Sequence, residues 1–145
     1  MSSEILLPAV GENEAPFWEA AAMGELRIQQ CTHCERLRFP PRPMCPQCQS
    51  TESTWALMSG GGTIYSFVVP HPPLLPQFAE LAPYNVILVS LEEDPTIRLI
   101  GNLVNRAGDK INAVDPSSVE VGQRVQVVFE KVSDEIHMPR WLRAG

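Results

Sequence analysis

Cys31-Thr32-His33-Cys34 and Cys45-Pro46-Gln47-Cys48 hold all four cysteines of this 145-residue chain. In each stretch two cysteines flank two residues, so a tight turn can present both sulfurs to one cation. Two such turns facing each other supply the tetrahedral four-thiolate cage that zinc prefers. Two disulfides would require an oxidising compartment, for which the sequence carries no sign. A redox Cys-x-x-Cys normally occurs once, beside a βαβ pattern, whereas here it occurs twice without one. Zinc bound by Cys31, Cys34, Cys45 and Cys48 is therefore expected. Soft thiolates also suit iron, and spacing alone does not separate the two metals. Catalytic zinc keeps a coordination position for water, and four cysteines close it, so the expected role is structural. His33 lies inside the first knuckle and is expected to face solvent.

Outward from the cage, the chain divides into an N-terminal arm and helix (1–25), a zinc ribbon (26–59) and a small β-barrel (60–145). Residues 1–12 read as an extended arm. Asn13 is a helix-cap candidate, Pro16 suits the first turn, and Gly24 suits the left-handed position after a helix. Phe17, Trp18, Ala21 and Ala22 share a face that packs on the chain's own core or on a partner. Leu26–Gln30, Arg36–Phe39 and Thr54–Leu57 read as the three strands of the ribbon. After Gly60-Gly61-Gly62 the pattern turns strand-like at Thr63–Val69, Val86–Leu91, Ile97–Val104 and Arg124–Val132. The turn Glu92-Glu93-Asp94-Pro95 makes the middle two a hairpin. Four or five strands without a long helix fit a closed barrel of the OB type, followed by a C-terminal tail. The fold class is mainly β.

Between the first two barrel strands lies a proline-stiffened loop, residues 70–84, carrying Leu74, Leu75, Phe78 and Leu81. A loop this long in a compact domain is usually functional or disordered. It either lids the barrel or meets a partner or ligand.

Composition narrows the function. The chain has 11 Lys and Arg against 17 Asp and Glu, a net charge of −6, and 14 prolines. That balance leaves no electrostatic footprint for nucleic acid or an anionic membrane. The N-terminus lacks a signal-peptide pattern and no run has the length of a membrane span, so a cytoplasmic protein is expected. The sequence contains no glycine-rich phosphate loop, nucleophile elbow or metal-spaced histidine pair, so no autonomous enzyme is expected. Arg27, Arg36, Arg38 and Arg42 are the only basic residues among the first 59. They either offset the cage, whose four thiolates and one zinc sum to about −2, or grip phosphates such as those of an acyl-CoA. Arg36, Arg38 and Arg42 are the phosphate candidates.

The pattern Phe17-Trp18-Glu19, Gly24-Glu25-Leu26, Cys31-x-x-Cys34, Phe39-Pro40-Pro41-Arg42-Pro43, Cys45-Pro46-x-Cys48 and Gly60-x-Gly62-Thr63-x-Tyr65-Ser66 resembles a known family. So do Ile100-Gly101-Asn102-Leu103, Val121-Gly122 and Val125-x-Val127-x-Phe129. The family joins a rubredoxin-like zinc ribbon to an OB fold and was long catalogued as a domain of unknown function. The likeness runs from about residue 14 to 142. It implies a non-catalytic accessory subunit of a thiolase-like enzyme: a thiolase/synthase complex, an acyltransferase or a steroid side-chain aldolase. The partner would do the chemistry on acyl-CoA substrates, with this chain beside the entrance as part of a hetero-oligomer. Phe17, Trp18, Leu74, Leu75, Phe78 and Leu81 are the candidate partner contacts. Glu35 and Gln49 depart from the family pattern, where glycine often follows each knuckle. The insert between Val104 and Val114 also looks longer than usual. A nucleic-acid-binding ribbon/OB module and an independent acyl-CoA-binding protein are the rival functions. Residues 60–145 hold 7 basic against 10 acidic residues, which disfavours the positive groove that single-strand binders use.

Overall fold

The computed structural model describes residues 6–145; the first five residues of the expected arm lie outside them. Helix α1 spans Ala15–Ala22. Its N-cap is Glu14, one residue after the expected Asn13, and Glu14 accepts the Gly11 N–H through Oε2 at 2.9 Å. The helix ends in a Schellman arrangement. Glu25 N–H donates to the Ala20 carbonyl, Gly24 N–H to the Ala21 carbonyl, and Gly24 adopts φ 77°. Phe17, Ala20 and Ala21 form the buried face, while Trp18 is half-buried and Ala22 is exposed. The face thus lies one residue from the position expected, and Phe17 packs on the chain's own core.

The ribbon is a three-stranded antiparallel sheet in the order β2-β1-β3, from β1 (Arg27–Cys31), β2 (Leu37–Arg38) and β3 (Ser53–Leu57). The barrel follows: β4 (Gly61–Val68), the short helix α2 (Pro76–Ala79), β5 (Val86–Leu91), β6 (Arg98–Gly101), β7 (Arg124–Lys131) and β8 (His137–Arg143). Its strand order is β6-β5-β4-β7-β8, with every neighbour antiparallel. A parallel bridge between Leu103 and Trp141 brings the two ends of the sheet together. There Val104 N–H donates to the Trp141 carbonyl at 2.9 Å, and Trp141 N–H to the Asn102 carbonyl at 3.0 Å. A five-stranded antiparallel sheet closed by one parallel contact is the OB architecture.

The expected C-terminal tail is instead strand β8, in which Trp141 is 0 % exposed. Pro139 is tolerated because β8 is an edge strand in the ladder order. A 3-10 turn spans Pro116–Ser118, with Asp115 Oδ1 accepting from Ser117 N–H at 2.9 Å.

Ribbon and barrel share one apolar core. Leu26 and Ile28 of the ribbon side, Phe17 of α1 and Met58 of the connection join Ile64, Ile87, Val89, Leu99, Val125 and Trp141. The connection itself is clamped: Ser59 N–H donates to Glu93 Oε2 at 2.5 Å, and Gln126 Nε2 donates to the Ser59 carbonyl at 3.0 Å. The glycines that follow permit close approach. A Cβ on Gly62 would stand 2.6 Å from the Ser90 carbonyl oxygen and 2.6 Å from Val89 Cγ1. Gly62→Ala should therefore strain the β4–β5 contact and destabilise the protein by about 1–3 kcal/mol. Urea unfolding of the two proteins, compared at their midpoints, checks this.

Candidate metal centre

The two knuckles are built alike. Glu35 N–H donates to the Cys31 carbonyl and Gln49 N–H to the Cys45 carbonyl, each at 2.9 Å. Each strand then closes back: Cys31 N–H reaches the Arg36 carbonyl at 3.0 Å, and Cys45 N–H reaches the Ser50 carbonyl at 2.9 Å. Both turns require a left-handed residue directly after the second cysteine, and Glu35 (φ 64°) and Gln49 (φ 61°) supply it. These are the positions where the sequence carries no glycine. The turn closes with a side chain present, at a conformational cost of about 1 kcal/mol each.

Cys31 and Cys45 are buried, Cys48 is half-buried and Cys34 is exposed. All four Sγ atoms lie within 4.8 Å of one another. Cys31 and Cys48 sulfurs are 3.5 Å apart, and those of Cys34 and Cys45 are 3.6 Å apart. A tetrahedron with Zn–S arms of about 2.3 Å has edges of about 3.8 Å, so the donor set fits a four-thiolate zinc. His33 is exposed and stands apart from this donor group.

The thiols are electrostatically unequal. Cys31 is drawn down to about 6, chiefly by the Cys34 backbone N–H, which outweighs the opposing effect of burial. Cys45 is also lowered, first by the N–H of Cys48 and then by that of Gln47. Cys48 is pushed up to about 11. The Ser50 N–H pulls it down, but burial and the three neighbouring sulfurs together win. The peptide frame thus favours the thiolate at Cys31 and at Cys45, and a divalent cation would offset negative charge on the clustered sulfurs.

The arginines take different places. Arg38 is 6 % exposed and turns inward, with Nη2 donating to the Arg42 carbonyl at 2.9 Å. Its Nε and Nη1 are buried with no hydrogen-bond partner. The bond from Arg38 to the Arg42 carbonyl braces the turn before the second knuckle. Arg42 is exposed, and its N–H donates to Gln29 Oε1 at 2.7 Å. Arg36 is exposed in a cleft between ribbon and barrel that also holds Cys34, Glu35, Glu93 and Asp94. Three carboxylates around one guanidinium make that cleft a poor anion site.

Among the candidate partner contacts, Phe17 is buried, with its ring 5.0 Å from Trp18 and 5.7 Å from Phe39 between centroids. In the proline loop, Leu75 is 55 % exposed, while Leu74, Phe78 and Leu81 are half-buried. Phe78 sits in α2 and leans on Tyr84, with ring centroids 6.3 Å apart. Reading the sequence missed the exposed outer face of the barrel, where Arg98 lies 3.9 Å over the Tyr65 ring beside exposed Ile100. The strand alternation of β6 was the available signal.

This is a zinc-ribbon protein with an OB barrel, held as one body by a shared core. Family models place it further: a rubredoxin-like zinc ribbon domain of ChsH2 matches residues 18–54, and the ChsH2 C-terminal OB-fold domain matches residues 55–130. The chain belongs to this ChsH2/DUF35 family.

It is 38% identical over 132 residues to a probable enoyl-CoA hydratase alpha subunit of Thermomonospora curvata, covering 91% of this chain and 38% of that protein. It is 32% identical over 137 residues to the 3-oxo-4,17-pregnadiene-20-carboxyl-CoA hydratase alpha subunit of Mycobacterium tuberculosis, covering 94% of this chain and 38% of that one. The chain therefore spans less than half the length of these two relatives. A DUF35 domain-containing scaffold protein of Methanothermobacter thermautotrophicus is 36% identical over 107 residues, which cover 73% of this chain and 72% of that protein. Among solved structures, a chain of the Ltp2-ChsH2(DUF35) aldolase superposes with a TM-score of 0.81 at 34% identity. That match covers 96% of this chain and 100% of the other. Among the described residues no helix is long and apolar enough to cross a membrane.

Zinc retention should depend on pH in a definite direction. At neutral pH zinc displaces the proton that Cys48 would otherwise hold, so affinity rises with pH. As pH falls, protons compete for the sulfurs, most steeply below about 6, where Cys31 also takes one up. Titrating the protein from about pH 8 to 4 with a chromogenic chelator present should show about one zinc released per chain on the acid side. Cys31→Ser or Cys45→Ser should shift that release to higher pH or abolish binding.

Proposed function

We propose that this chain is a non-catalytic, zinc-stabilised accessory subunit of a thiolase-like acyl-CoA enzyme. Its role is to hold that partner in an active form and to shape the acyl-CoA entrance. The observation that carries the reading is the match over essentially the whole chain to a chain of the Ltp2-ChsH2(DUF35) aldolase. Two relatives named as hydratase alpha subunits, one of them acting on a steroid-derived CoA ester, support acyl-CoA metabolism as the setting. A closed tetrathiolate supports a structural metal over a reacting one.

The proline loop is the docking element in this reading. Leu75 stands out from a backbone stiffened by Pro70, Pro72, Pro73, Pro76 and Pro83, so little entropy is lost when a partner covers it. Of the arginines, Arg42 is the best placed for a CoA phosphate, since Arg38 is engaged internally and Arg36 stands among carboxylates. A cytoplasmic setting goes with reduced, metal-binding cysteines.

Two experiments test the proposal. Purified alone, the chain should turn over no member of a CoA-ester panel. Combined with its thiolase-like subunit it should restore or raise that subunit's activity; turnover by this chain alone, or a fully active partner without it, would contradict the assignment. Leu75→Ser should weaken the complex by tenfold or more, about 1.4 kcal/mol. The same change should alter the stability of the lone protein by no more than about 0.5 kcal/mol, because the side chain already faces water. Sedimentation of the complex and thermal melting of the lone chain read the two effects separately.

A further inference from the structure

A buried polar chain runs from the base of the proline loop to the barrel's closing seam. Asn85, 0 % exposed, pairs with the main chain of Leu103 through both ends of its amide. Its Oδ1 accepts from Leu103 N–H at 2.6 Å, and its Nδ2 donates to the Leu103 carbonyl at 3.0 Å. A side chain thereby takes the place of a strand neighbour beside the Leu103–Trp141 bridge. Asn102 Nδ2 donates to the Asn85 carbonyl at 2.6 Å, and Asn102 Oδ1 accepts from Arg140 Nη1 at 2.9 Å. Arg140 Nε then meets Glu130 Oε2 at 2.9 Å.

On the other side of Asn85, Tyr84 is 7 % exposed and carries Phe78 of α2 on its ring. The path thus runs by hydrogen bonds from Glu130 to Asn85, by the peptide bond to Tyr84, and by ring contact to Phe78 in the helical turn next to Leu75.

We infer that Asn85, Asn102 and Arg140 form a latch that couples the loop of residues 70–84 to closure of the barrel, so that loop and seam open as one unit. These groups are buried, and separating any pair leaves a donor or acceptor without water or partner. Partial opening is therefore costly and concerted opening is favoured. Asn85, Asn102 and Arg140 act as positioning residues for the loop. The functional use of the latch rests on the docking role proposed for Leu75: by linkage, whatever covers the loop must also tighten the seam. The coupling itself belongs to the lone chain and is tested there, so its failure is separate from any failure of the docking role.

Amide hydrogen exchange on the zinc-loaded full chain provides the test. The loop amides of Phe78, Ala79, Leu81 and Ala82 donate to carbonyls within the loop, and those of Leu103, Val104 and Trp141 report the seam. Asn102→Ala should speed both sets by a common factor, roughly tenfold or more, as expected for one cooperative unit. The amides of Ile64, Val127 and Met58, bonded elsewhere in the barrel and ribbon, should keep their rates. Phe78→Ala perturbs the loop end and should speed the seam amides of Leu103 and Val104 in return. If Asn102→Ala does not fold, this second variant decides. Loosening confined to the mutated side, or one equal acceleration of every amide in the protein, would overturn the latch.

Discussion

Four sulfurs within 4.8 Å of one another are the constraint on which the ribbon depends. Backbone N–H groups stabilise the thiolates of Cys31 and Cys45, while Cys48 resists ionisation among its neighbours. A divalent cation resolves the conflict, and its binding energy, on the order of 10 kcal/mol, becomes folding energy. The ribbon needs it. Strand β2 has only two residues, and the knuckle turns place Glu35 and Gln49 at positive φ. Neither feature would hold by local preference.

Zinc fixes the distal end of the ribbon, and apolar packing fixes the proximal end. Leu26, Ile28 and Met58 enter the same core as Phe17 and the barrel's Ile64, Val125 and Trp141. Glu93 and Gln126 hold Ser59 at the crossing point. This arrangement gives the proposed accessory role a physical basis, because a rigid body can present a stiff loop and an exposed Leu75 in one geometry. The cage orders the scaffold, the shared core transmits that order, and the loop is the docking element we propose.

Much of this was legible in the residues themselves. Cysteine spacing announced the cage, Gly24 the end of α1, and Glu92–Pro95 the turn of the β5–β6 hairpin. Local chemistry decides those features, so a local pattern reveals them. The segment His-Met-Pro-Arg-Trp-Leu-Arg escaped notice as a strand because it contains a proline and two arginines and lacks clean alternation. Its burial comes from pairing with β7 and from the contact of Trp141 with Leu103, far away in sequence. The arginines were ambiguous for a similar reason. Composition marks Arg36, Arg38 and Arg42 as one basic group, but the fold turns Arg38 inward, sets Arg36 among acids and leaves Arg42 outside. Asn85 carries no signal at all in one sequence, since its partner is the main chain of a residue on another strand.

Zinc enclosed by Cys31, Cys34, Cys45 and Cys48 holds structure without reacting. X-ray absorption at the zinc edge of the purified protein addresses this enclosure most directly. The spectrum should show four sulfur neighbours at about 2.3 Å and no nitrogen or oxygen in the coordination sphere. A nitrogen or oxygen neighbour at about 2.0–2.1 Å, or a protein carrying disulfides and no metal, would contradict it.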